Sequence, residues 1–198
     1  FRKNPDRYPL NTPSGKIEIF SETISNFNLH DCLGHPSWFE PYEWLGKINE
    51  YPLHLISNQP ANRMHGQLDN AYSSKKNKIK GREPVIINFL DANKRNIKNN
   101  DIVLIYNQRG KVLAGARLSD QVMQGVLVLS VGAWFDPDYN LKIDIHGNPN
   151  TLTKDVGTSS LSQAPTSHTT LVNIRKARKE EISEVKIFKK PNIVNKSI

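Results

Sequence analysis

The chain has 198 residues, a hydrophobic fraction of 37% and a formal net charge of +8. This length suits one domain with extensions or two very small domains. The single cysteine, Cys32, excludes a disulfide framework and a cysteine-rich metal site, and no segment reaches the roughly 20 apolar residues of a membrane-spanning helix. The positive charge favours an anionic partner, such as a phosphate group, nucleic acid or an acidic surface.

Residues 1–50 are predicted to form an extended arm that leads into the main domain. Five prolines interrupt this segment, and its aromatic residues follow neither a helical nor a strand period. One alternating run, 16–20, predicts a short strand, and 21–27 is long enough for about one helical turn. We expect this arm to pack less tightly than the domain that follows and to bury its aromatic side chains against another part of the protein.

The next part of the sequence, 51–176, carries six segments typical of β-strands, each rich in aliphatic residues and bounded by turn sequences. The predicted strands are 53–57, 84–89, 101–106, 111–118, 126–131 and 169–174. Short helices are predicted at 91–96, with Asp91 as the N-cap, and around 152–161. The third strand is almost continuously apolar, as expected for a strand that is buried on both faces. A closed β-barrel is the expected arrangement, because closure leaves no exposed strand edge.

The C-terminal segment, 177–198, is predicted to be a basic tail. From position 175 to the C-terminus there are eight basic and three acidic residues, a net charge of +5. This composition is typical of a solvated and partly disordered terminus. A nucleic-acid-binding arm is the alternative interpretation.

The sequence lacks the common motifs of nucleotide-binding and hydrolytic enzymes. It has no GxxxxGK[ST] loop, no GxGxxG after a strand, no HExxH helix and no GxSxG turn. His30, Cys32 and His35 lie close together, but a fourth metal ligand is missing from this run, so an ordinary loop is favoured over a metal site.

Two loops concentrate hydrogen-bonding side chains at the ends of predicted strands. They span 57–67 and 147–159, both are rich in amides and hydroxyls, and the first also holds Arg63 and His65. Amides pair with the edges of a polar heterocycle, and an arginine pairs with a phosphate. The same residue types also build ordinary turns, which composition alone favours. The Trp-Phe pair at 134–135 is compatible with stacking on a ligand ring or with closing the barrel.

Five segments, in order, resemble the C-terminal molybdopterin (guanine) dinucleotide-binding domain of the dimethyl sulfoxide reductase family of molybdopterin oxidoreductases. They are HLISNQPANRMHGQLDN (54–70), REPVIIN (82–88), DANKRNIKNNDIVLIYNQRG (91–110), SVGAWFDP (130–137) and GNPNTLTKDVGTSSLSQAPTSHTTLV (147–172). Biotin sulfoxide and trimethylamine N-oxide reductases are the members that the chain resembles most. TPSGKIEIFSE (12–22) and HPSWFEPYEWLG (35–46) resemble the segment that precedes this domain.

The resemblance implies a mainly-β fold, a six-stranded double-psi β-barrel with short helices, preceded by an extended arm. It implies that this domain holds the pterin and pyrophosphate part of a bis(molybdopterin guanine dinucleotide) molybdenum cofactor. The residues implied to bind the cofactor are Ser57, Asn58, Gln59, Arg63, His65, Trp134, Asn148, Asn150, Asp155, Thr158, Ser159 and Gln163, with Phe135 and His168 as further candidates. No catalytic residue and no metal ligand is assigned to this chain, because the serine ligand of such reductases lies in an upstream domain.

The resemblance also implies that the whole enzyme reduces an S-oxide or N-oxide by oxygen-atom transfer. This chain would be one domain of that enzyme and would be inactive in isolation. Its partners would be the upstream domains and the small oxide substrate, and no membrane partner is expected. The compartment is open between periplasm and cytoplasm, with the periplasm favoured. The particular oxide and the electron donor are not specified.

Two features differ from the family pattern, the basic stretch at 75–80 and the tail beyond 178. The charge of the chain supports an alternative function, a non-enzymatic β-barrel that binds nucleic acid or protein. Binding of nucleic acid would weaken steeply with salt, whereas binding of a pterin cofactor would depend on the two polar loops.

Overall fold

A computed structural model describes residues 1–47 and 50–190. The chain divides into two compact units, the first formed by Phe1–Pro41 and Val156–Pro165, the second by Tyr42–Asp155 and the segment that begins at Thr166. None of the described helices is both long enough and apolar enough to cross a membrane. The domain boundaries predicted from the sequence, near residues 50 and 176, stay a prediction.

The first unit contains little regular structure. Its helix α1 (Glu22–Ser25) is a single turn, and the hydroxyl of its N-cap, Ser21, accepts a hydrogen bond from the backbone N–H of Ile24 at 3.3 Å. The predicted helical turn at 21–27 is therefore confirmed. The predicted strand at 16–20 is wrong, because no described strand pairs with this run and its apolar residues Ile17 and Ile19 are exposed.

The second unit is built around a closed β-barrel. Its strands, in chain order, are β1 (Leu53–Ile56), β2 (Pro84–Asn88), β3 (Ile102–Tyr106), β4 (Lys111–Ser119), β5 (Val126–Leu129), β6 (Pro137–Asp138), β7 (Ile143–Asp144) and β8 (Thr170–Lys176). Six strands close a ring in the order β2-β5-β1-β8-β3-β4, and β4 pairs again with β2. The short strands β7 and β6 continue from β4. The predicted mainly-β fold with a closed six-stranded barrel is confirmed, and each of the six predicted strands is present.

The helices in the described part of the second unit are short. They are α2 (Tyr72–Lys75), α3 (Phe89–Asn93) and three 3₁₀ turns at Leu45–Lys47, Pro149–Thr151 and Lys179–Glu181. The N-cap of α3 is Asn88, whose side chain accepts the backbone N–H of Leu90 at 2.9 Å. The predicted N-cap, Asp91, lies inside the helix instead and accepts the N–H of Gly125 at 2.6 Å.

The helix predicted around 152–161 is wrong. The 3₁₀ turn at Pro149–Thr151 lies just before it, and its N-cap is Asn148, which accepts the N–H of Asn150. The remaining residues form bends and one isolated bridge between Gly157 and Pro165. Polar side chains that bond to the nearby backbone compete with helix formation in such a segment.

Parallel pairing determines where the loops emerge from the barrel. Strand β1 runs parallel to β5, with His54 opposite Val126 and Ile56 opposite Val128. Strand β2 runs parallel to β4 and antiparallel to β5. The carboxyl ends of β1 and β5 therefore lie side by side at one end of the barrel, and those of β2 and β4 lie at the other end.

Alternating apolar side chains fill the barrel. The fully buried inward-facing residues include Leu55, Ile87, Ile105, Leu127 and Val172. Strand β3 is buried on both faces, as predicted, because Ile102 and Leu104 pack in a second cluster with Ile143 and Ile145. The pair of short strands that the sequence did not predict, β6 and β7, supplies the cover for this outer face.

A buried carboxylate ties the segment before β1 to the barrel. Arg109 donates from both terminal nitrogens to the two oxygens of Glu43, at 2.6 and 3.0 Å, and the backbone N–H of Leu171 donates to Oε2 at 2.8 Å. Lys154 Nζ lies 3.2 Å from Oε1. Burial alone would raise the pKa of Glu43, but Arg109, Leu171 and Lys154 outweigh it and hold the pKa at about 2.

Replacing Glu43 by Gln should lower stability at neutral pH and flatten the acid side of the stability profile. A carboxylate with a lowered folded-state pKa stabilises the fold above its unfolded value of 4.5, and this contribution is lost as the pH falls through about 2. Between about pH 5 and pH 3, the urea midpoint should therefore fall more steeply for wild type than for Glu43→Gln. Glu180→Gln, which removes an exposed carboxylate, should follow wild type. Parallel profiles for wild type and Glu43→Gln would contradict this role.

Candidate functional site

The loops that follow β1 and β5 pack against each other at one end of the barrel. The carbonyl oxygen of Asn58 accepts the N–H of Val131 at 2.9 Å, and its side-chain Oδ1 accepts the hydroxyl of Ser130 at 2.9 Å. Gly132 permits the close approach, because its φ is +90° and a Cβ there would lie 1.8 Å from the carbonyl oxygen of His65. Six of the predicted site residues, at positions 57, 58, 59, 63, 65 and 134, lie on these two loops.

The first loop presents amides on its surface above a buried hydroxyl. Asn58 and Gln59 are exposed, and the Gln59 amide lies 2.7 Å from Nδ1 of His65 and accepts the His65 backbone N–H at 3.2 Å. Ser57 is 6% exposed, and its hydroxyl has no hydrogen-bond partner among the described residues. A buried hydroxyl without a partner is costly to the folded protein, and the cofactor contact of Ser57 stays a prediction.

A cavity of about 260 Å³ opens beside this loop. Its polar lining side chains are Asn58, Asn62, Asn77, Glu83, Arg117 and Ser130. Pockets that enclose a whole small ligand usually measure roughly 300–1,000 Å³. This cavity is therefore large enough for one part of a large ligand, such as a single heterocycle, rather than for all of it.

Arg63, predicted to contact an anionic group of the cofactor, points into the protein. Its side chain is 1% exposed, Nη2 lies 3.1 Å from Oε1 of Glu83, and the same nitrogen donates to the carbonyl oxygen of Val131 at 2.8 Å. Arg63 also donates from Nη1 to the hydroxyl of Ser74 at 3.2 Å. In this structure it joins the two loops and neutralises a buried carboxylate, and its contact with a cofactor stays a prediction.

Arg63 belongs to a buried cluster of two cations and two carboxylates, which we call the ion cluster: Arg63, Asp69, Lys78 and Glu83. Lys78 Nζ lies 2.8 Å from Oδ1 of Asp69 and 3.0 Å from Oε2 of Glu83, and Arg63 Nε lies 3.6 Å from Asp69. All four side chains are at most 6% exposed. Burial alone would raise the pKa of Asp69, but the hydrogen bonds from Lys78 and from the Trp134 N–H outweigh it, so the pKa is lowered.

The ion cluster fixes Trp134, the predicted aromatic residue of the site. The backbone N–H of Trp134 donates to Oδ2 of Asp69 at 3.0 Å, and its indole Nε1 donates to the carbonyl oxygen of Gly66 at 2.6 Å. The Trp134 side chain thereby links the loop after β5 to the loop after β1. Phe135, the adjacent candidate, is 52% exposed.

His146 and Asp144 extend the buried polar region towards the second predicted loop. The backbone N–H groups of Gly147 and Asn148 donate to Oδ2 of Asp144 at 2.9 and 2.6 Å, and burial raises the pKa of Asp144. His146 Nδ1 donates to the carbonyl oxygen of Trp134 at 2.8 Å, which defines the neutral tautomer. Burial and the nearby Lys78 lower the pKa of His146.

The residues predicted in the second loop occupy both compact units. In the second unit, Asn148 caps the 3₁₀ turn, and Asn150 and Asp155 are exposed. In the first unit, Thr158 donates its N–H to Ala164 at 2.8 Å, Ser159 accepts the N–H of Ser162 at 3.0 Å, and Gln163 is exposed. His168, the weaker candidate, is exposed in the second unit. The cofactor contacts of all of these residues stay predictions.

Sequence reasoning missed Asp69, Lys78, Glu83, Asp144 and His146 as parts of this region. Asp69 and Glu83 lie inside segments that resemble the reductase family, and Lys78 lies in the basic stretch at 75–80. Spacing carried no signal that these charges are buried together. Among the described residues, no group of three or more His, Cys, Asp or Glu side chains is arranged to hold a metal ion.

Comparison with known proteins identifies the class. Residues 53–171 match the family model of the molydopterin dinucleotide binding domain, and the chain belongs to this family. It is 48% identical over 183 residues to trimethylamine-N-oxide reductase 1 of Escherichia coli strain K12, a match that covers 89% of this chain and 22% of that protein. It is 42% identical over 188 residues to biotin sulfoxide reductase of Cereibacter sphaeroides, covering 95% of this chain and 25% of that protein.

The chain thus spans about a quarter of the length of these relatives. Among solved structures, acetylene hydratase of Pelobacter acetylenicus matches with a TM-score of 0.69 over 86% of this chain and 24% of that one, at 14% identity, which supports the fold alone. The family predicted from the sequence is confirmed. The comparisons favour a molybdopterin dinucleotide-binding domain over a barrel that binds nucleic acid or protein.

Replacing Lys78 by Met should destabilise the domain strongly, because it leaves the Asp69 and Glu83 carboxylates with a single cation between them. Removing one partner from a buried ion network typically costs about 3–5 kcal/mol. The measurement is the free energy of unfolding in urea at pH 7. Lys76→Met, which removes an exposed charge two residues earlier, is the matched control and should stay within about 0.5 kcal/mol of wild type. Equal effects of the two substitutions would show that the buried network does not stabilise the fold.

Proposed function

We propose that this chain is the cofactor-holding domain of an S-oxide or N-oxide reductase, and that it holds the pterin and pyrophosphate part of a bis(molybdopterin guanine dinucleotide) cofactor. The family match and the reductase names of the similar proteins support this proposal. The observation that carries it is the convergence of two polar loops at one end of the barrel, above a Ser57 hydroxyl that has no partner within the described chain.

The residues of this end fit such a cofactor chemically. A pterin or guanine edge alternates donors and acceptors, and the exposed amides of Asn58 and Gln59 offer both. Ser57 adds one hydroxyl, and the adjacent cavity of about 260 Å³ suits one heterocyclic part of the ligand. Arg63 is already paired with Glu83, so we assign to it the positioning of the loop, and its contact with an anionic group of the cofactor stays a prediction.

When bound, the molybdenum cofactor supplies the two-electron oxygen-atom transfer chemistry. The residues of this chain bind and orient the cofactor and pair polar groups that would otherwise stay unsatisfied. Specificity then arises from the fixed positions of amides and hydroxyls, which the packing of the two loops maintains.

The partners we propose are the upstream domains of the same reductase. Large apolar side chains of the first unit are open to solvent, among them Ile19 at 80% and Phe39 at 47% exposure. The relatives are about four times longer than this chain. Contact with the additional polypeptide would bury this apolar surface, and the small oxide substrate would bind where the cofactor and those domains meet.

Ser57→Ala in the full-length protein should weaken cofactor retention without weakening the fold. The hydroxyl has no internal partner, so its removal breaks no bond within the described chain. A lost hydrogen bond to the cofactor is worth about 0.5–1.5 kcal/mol, which is roughly a two- to tenfold faster release. Molybdenum and oxidised pterin are measured per protein after dilution, together with the thermal unfolding midpoint.

Ser119→Ala is the matched control, because Ser119 ends β4 at the opposite end of the barrel. It should retain cofactor like wild type. Retention by Ser57→Ala that equals wild type would remove Ser57 from the site, and a wild-type protein that contains no molybdenum or pterin would overturn the proposed function.

The isolated chain should fold but neither bind molybdenum nor turn over substrate. The six barrel strands complete their hydrogen bonding with one another, whereas a large dinucleotide cofactor is normally clamped between several domains. Circular dichroism, bound molybdenum and reduction of sulfoxides and N-oxides with an artificial electron donor test this prediction. Stoichiometric molybdenum with reductase turnover in residues 1–198 would contradict it.

A further inference from the structure

The segment at 183–188, which we call the C-terminal strap, lies against the barrel next to the candidate site. The Ser183 carbonyl oxygen accepts a hydrogen bond from Arg82, and its hydroxyl donates to Asp138 at 2.7 Å. The backbone N–H groups of Lys186 and Ile187 both donate to Oδ2 of Asp136, at 2.6 and 2.9 Å. The strap is therefore attached through backbone groups to the chain that immediately follows Trp134 and Phe135.

Phe188 ends the strap in an aromatic cluster. Its ring centroid lies 5.7 Å from that of Trp134 and 5.0 Å from that of His146, the latter in an edge-on arrangement at 88°. Lys75 Nζ lies 4.9 Å from the ring centroid and Lys78 Nζ lies 5.8 Å from it. The Phe188 ring thus packs against both Trp134 and His146, the imidazole of which donates to the Trp134 carbonyl oxygen.

These contacts form a continuous path from the strap to the first polar loop. Phe188 packs on the Trp134 indole, and the indole N–H donates to the carbonyl oxygen of Gly66 at 2.6 Å. Gly66 follows His65, whose backbone N–H and ring both bond to Gln59. The orientation of Trp134 therefore influences the loop that carries the exposed amides of the candidate site.

The strap is separable from the barrel core. Phe188 is half-buried and belongs to neither of the two hydrophobic clusters that fill and flank the barrel. Its ring contacts are aromatic and cation–π contacts, each of which is individually weak. A substitution at this position removes the support of Trp134 while the strands keep their ladder.

We propose that Phe188 is a positioning residue for the cofactor site: from the C-terminal strap it fixes the Trp134 indole, which in turn fixes the loop containing Gln59 and His65. This inference rests on the proposed function, because it assigns to the strap a role in holding the cofactor. It gives a specific purpose to a segment that lies beyond the family match, which ends at residue 171.

The experiment compares Phe188→Ala, Phe188→Tyr and Lys189→Ala in the full-length protein. Phe188→Tyr keeps the ring and serves as the conservative rescue, and Lys189→Ala alters the exposed neighbouring residue. Hydrogen exchange is followed in peptides that cover 59–67, 130–136 and 183–190. The dissociation of molybdenum and pterin is followed after dilution, at a temperature where all variants are folded.

Phe188→Ala should accelerate exchange in all three peptides and release the cofactor roughly three- to tenfold faster than wild type. Phe188→Tyr and Lys189→Ala should match wild type in both measurements. Faster exchange confined to 183–190, or unchanged cofactor release from Phe188→Ala, would overturn the positioning role. A wild type that holds no molybdenum or pterin would overturn the proposed function instead, while the exchange data would still decide whether Phe188 supports the two loops.

Discussion

The candidate site depends on the hydrogen bonds and the ion pair that the buried carboxylate of Asp69 forms. The carboxylate is fully buried, forms an ion pair with Lys78, and accepts hydrogen bonds from the Ser74 hydroxyl and from the backbone N–H of Trp134. Each of these groups comes from a different part of the chain: the basic stretch that follows α2, α2 itself and the loop after β5. A buried charge is tolerated when it is paired and hydrogen-bonded, and this carboxylate meets both conditions. Its burial therefore forces three segments into a fixed arrangement.

Glu83, which directly precedes β2, completes the ion cluster. It receives Arg63 and Lys78, so the ion cluster holds two positive and two negative side chains. The two positive and two negative charges compensate each other inside this end of the barrel. The four charged side chains of the ion cluster are buried and hold the loops in place, whereas the amides of Asn58 and Gln59 are exposed. Neutral amides recognise a heterocycle by its pattern of hydrogen-bond donors and acceptors, and a cofactor site requires that such amides be held rigidly.

The sequence alone predicts the barrel, but it does not predict the ion cluster. The six barrel strands follow from local patterns of aliphatic residues, and Leu55 and Leu127 are buried as their alternation indicates. The local sequence around Lys78 indicates only a basic loop, because the burial of a charged side chain depends on partners distant in the chain. The same limitation explains the error at 16–20, where an alternating run has no partner strand. Short strands such as β6 and β7 carry no period of their own.

Two capping details show the same division between local and distant information. Asn88 and Asp91 are both suitable N-cap residues by type. In the structure Asn88 is the N-cap, and the Asp91 carboxylate instead accepts the N–H of Gly125. In the predicted tail, the apolar residue Phe188 gave no signal within a basic, polar segment. Its contacts with Trp134 and His146 depend on the strand order of the barrel.

The most direct test of the account is an experimental structure of the full-length protein with its cofactor bound. In that structure, side-chain atoms of Ser57, Asn58 or Gln59 should lie within hydrogen-bonding distance of the pterin or nucleotide, with the ion cluster intact beneath them. A bound cofactor that contacts none of the residues at 57–67, 130–135 and 147–163 would contradict the assignment of this barrel end as the site.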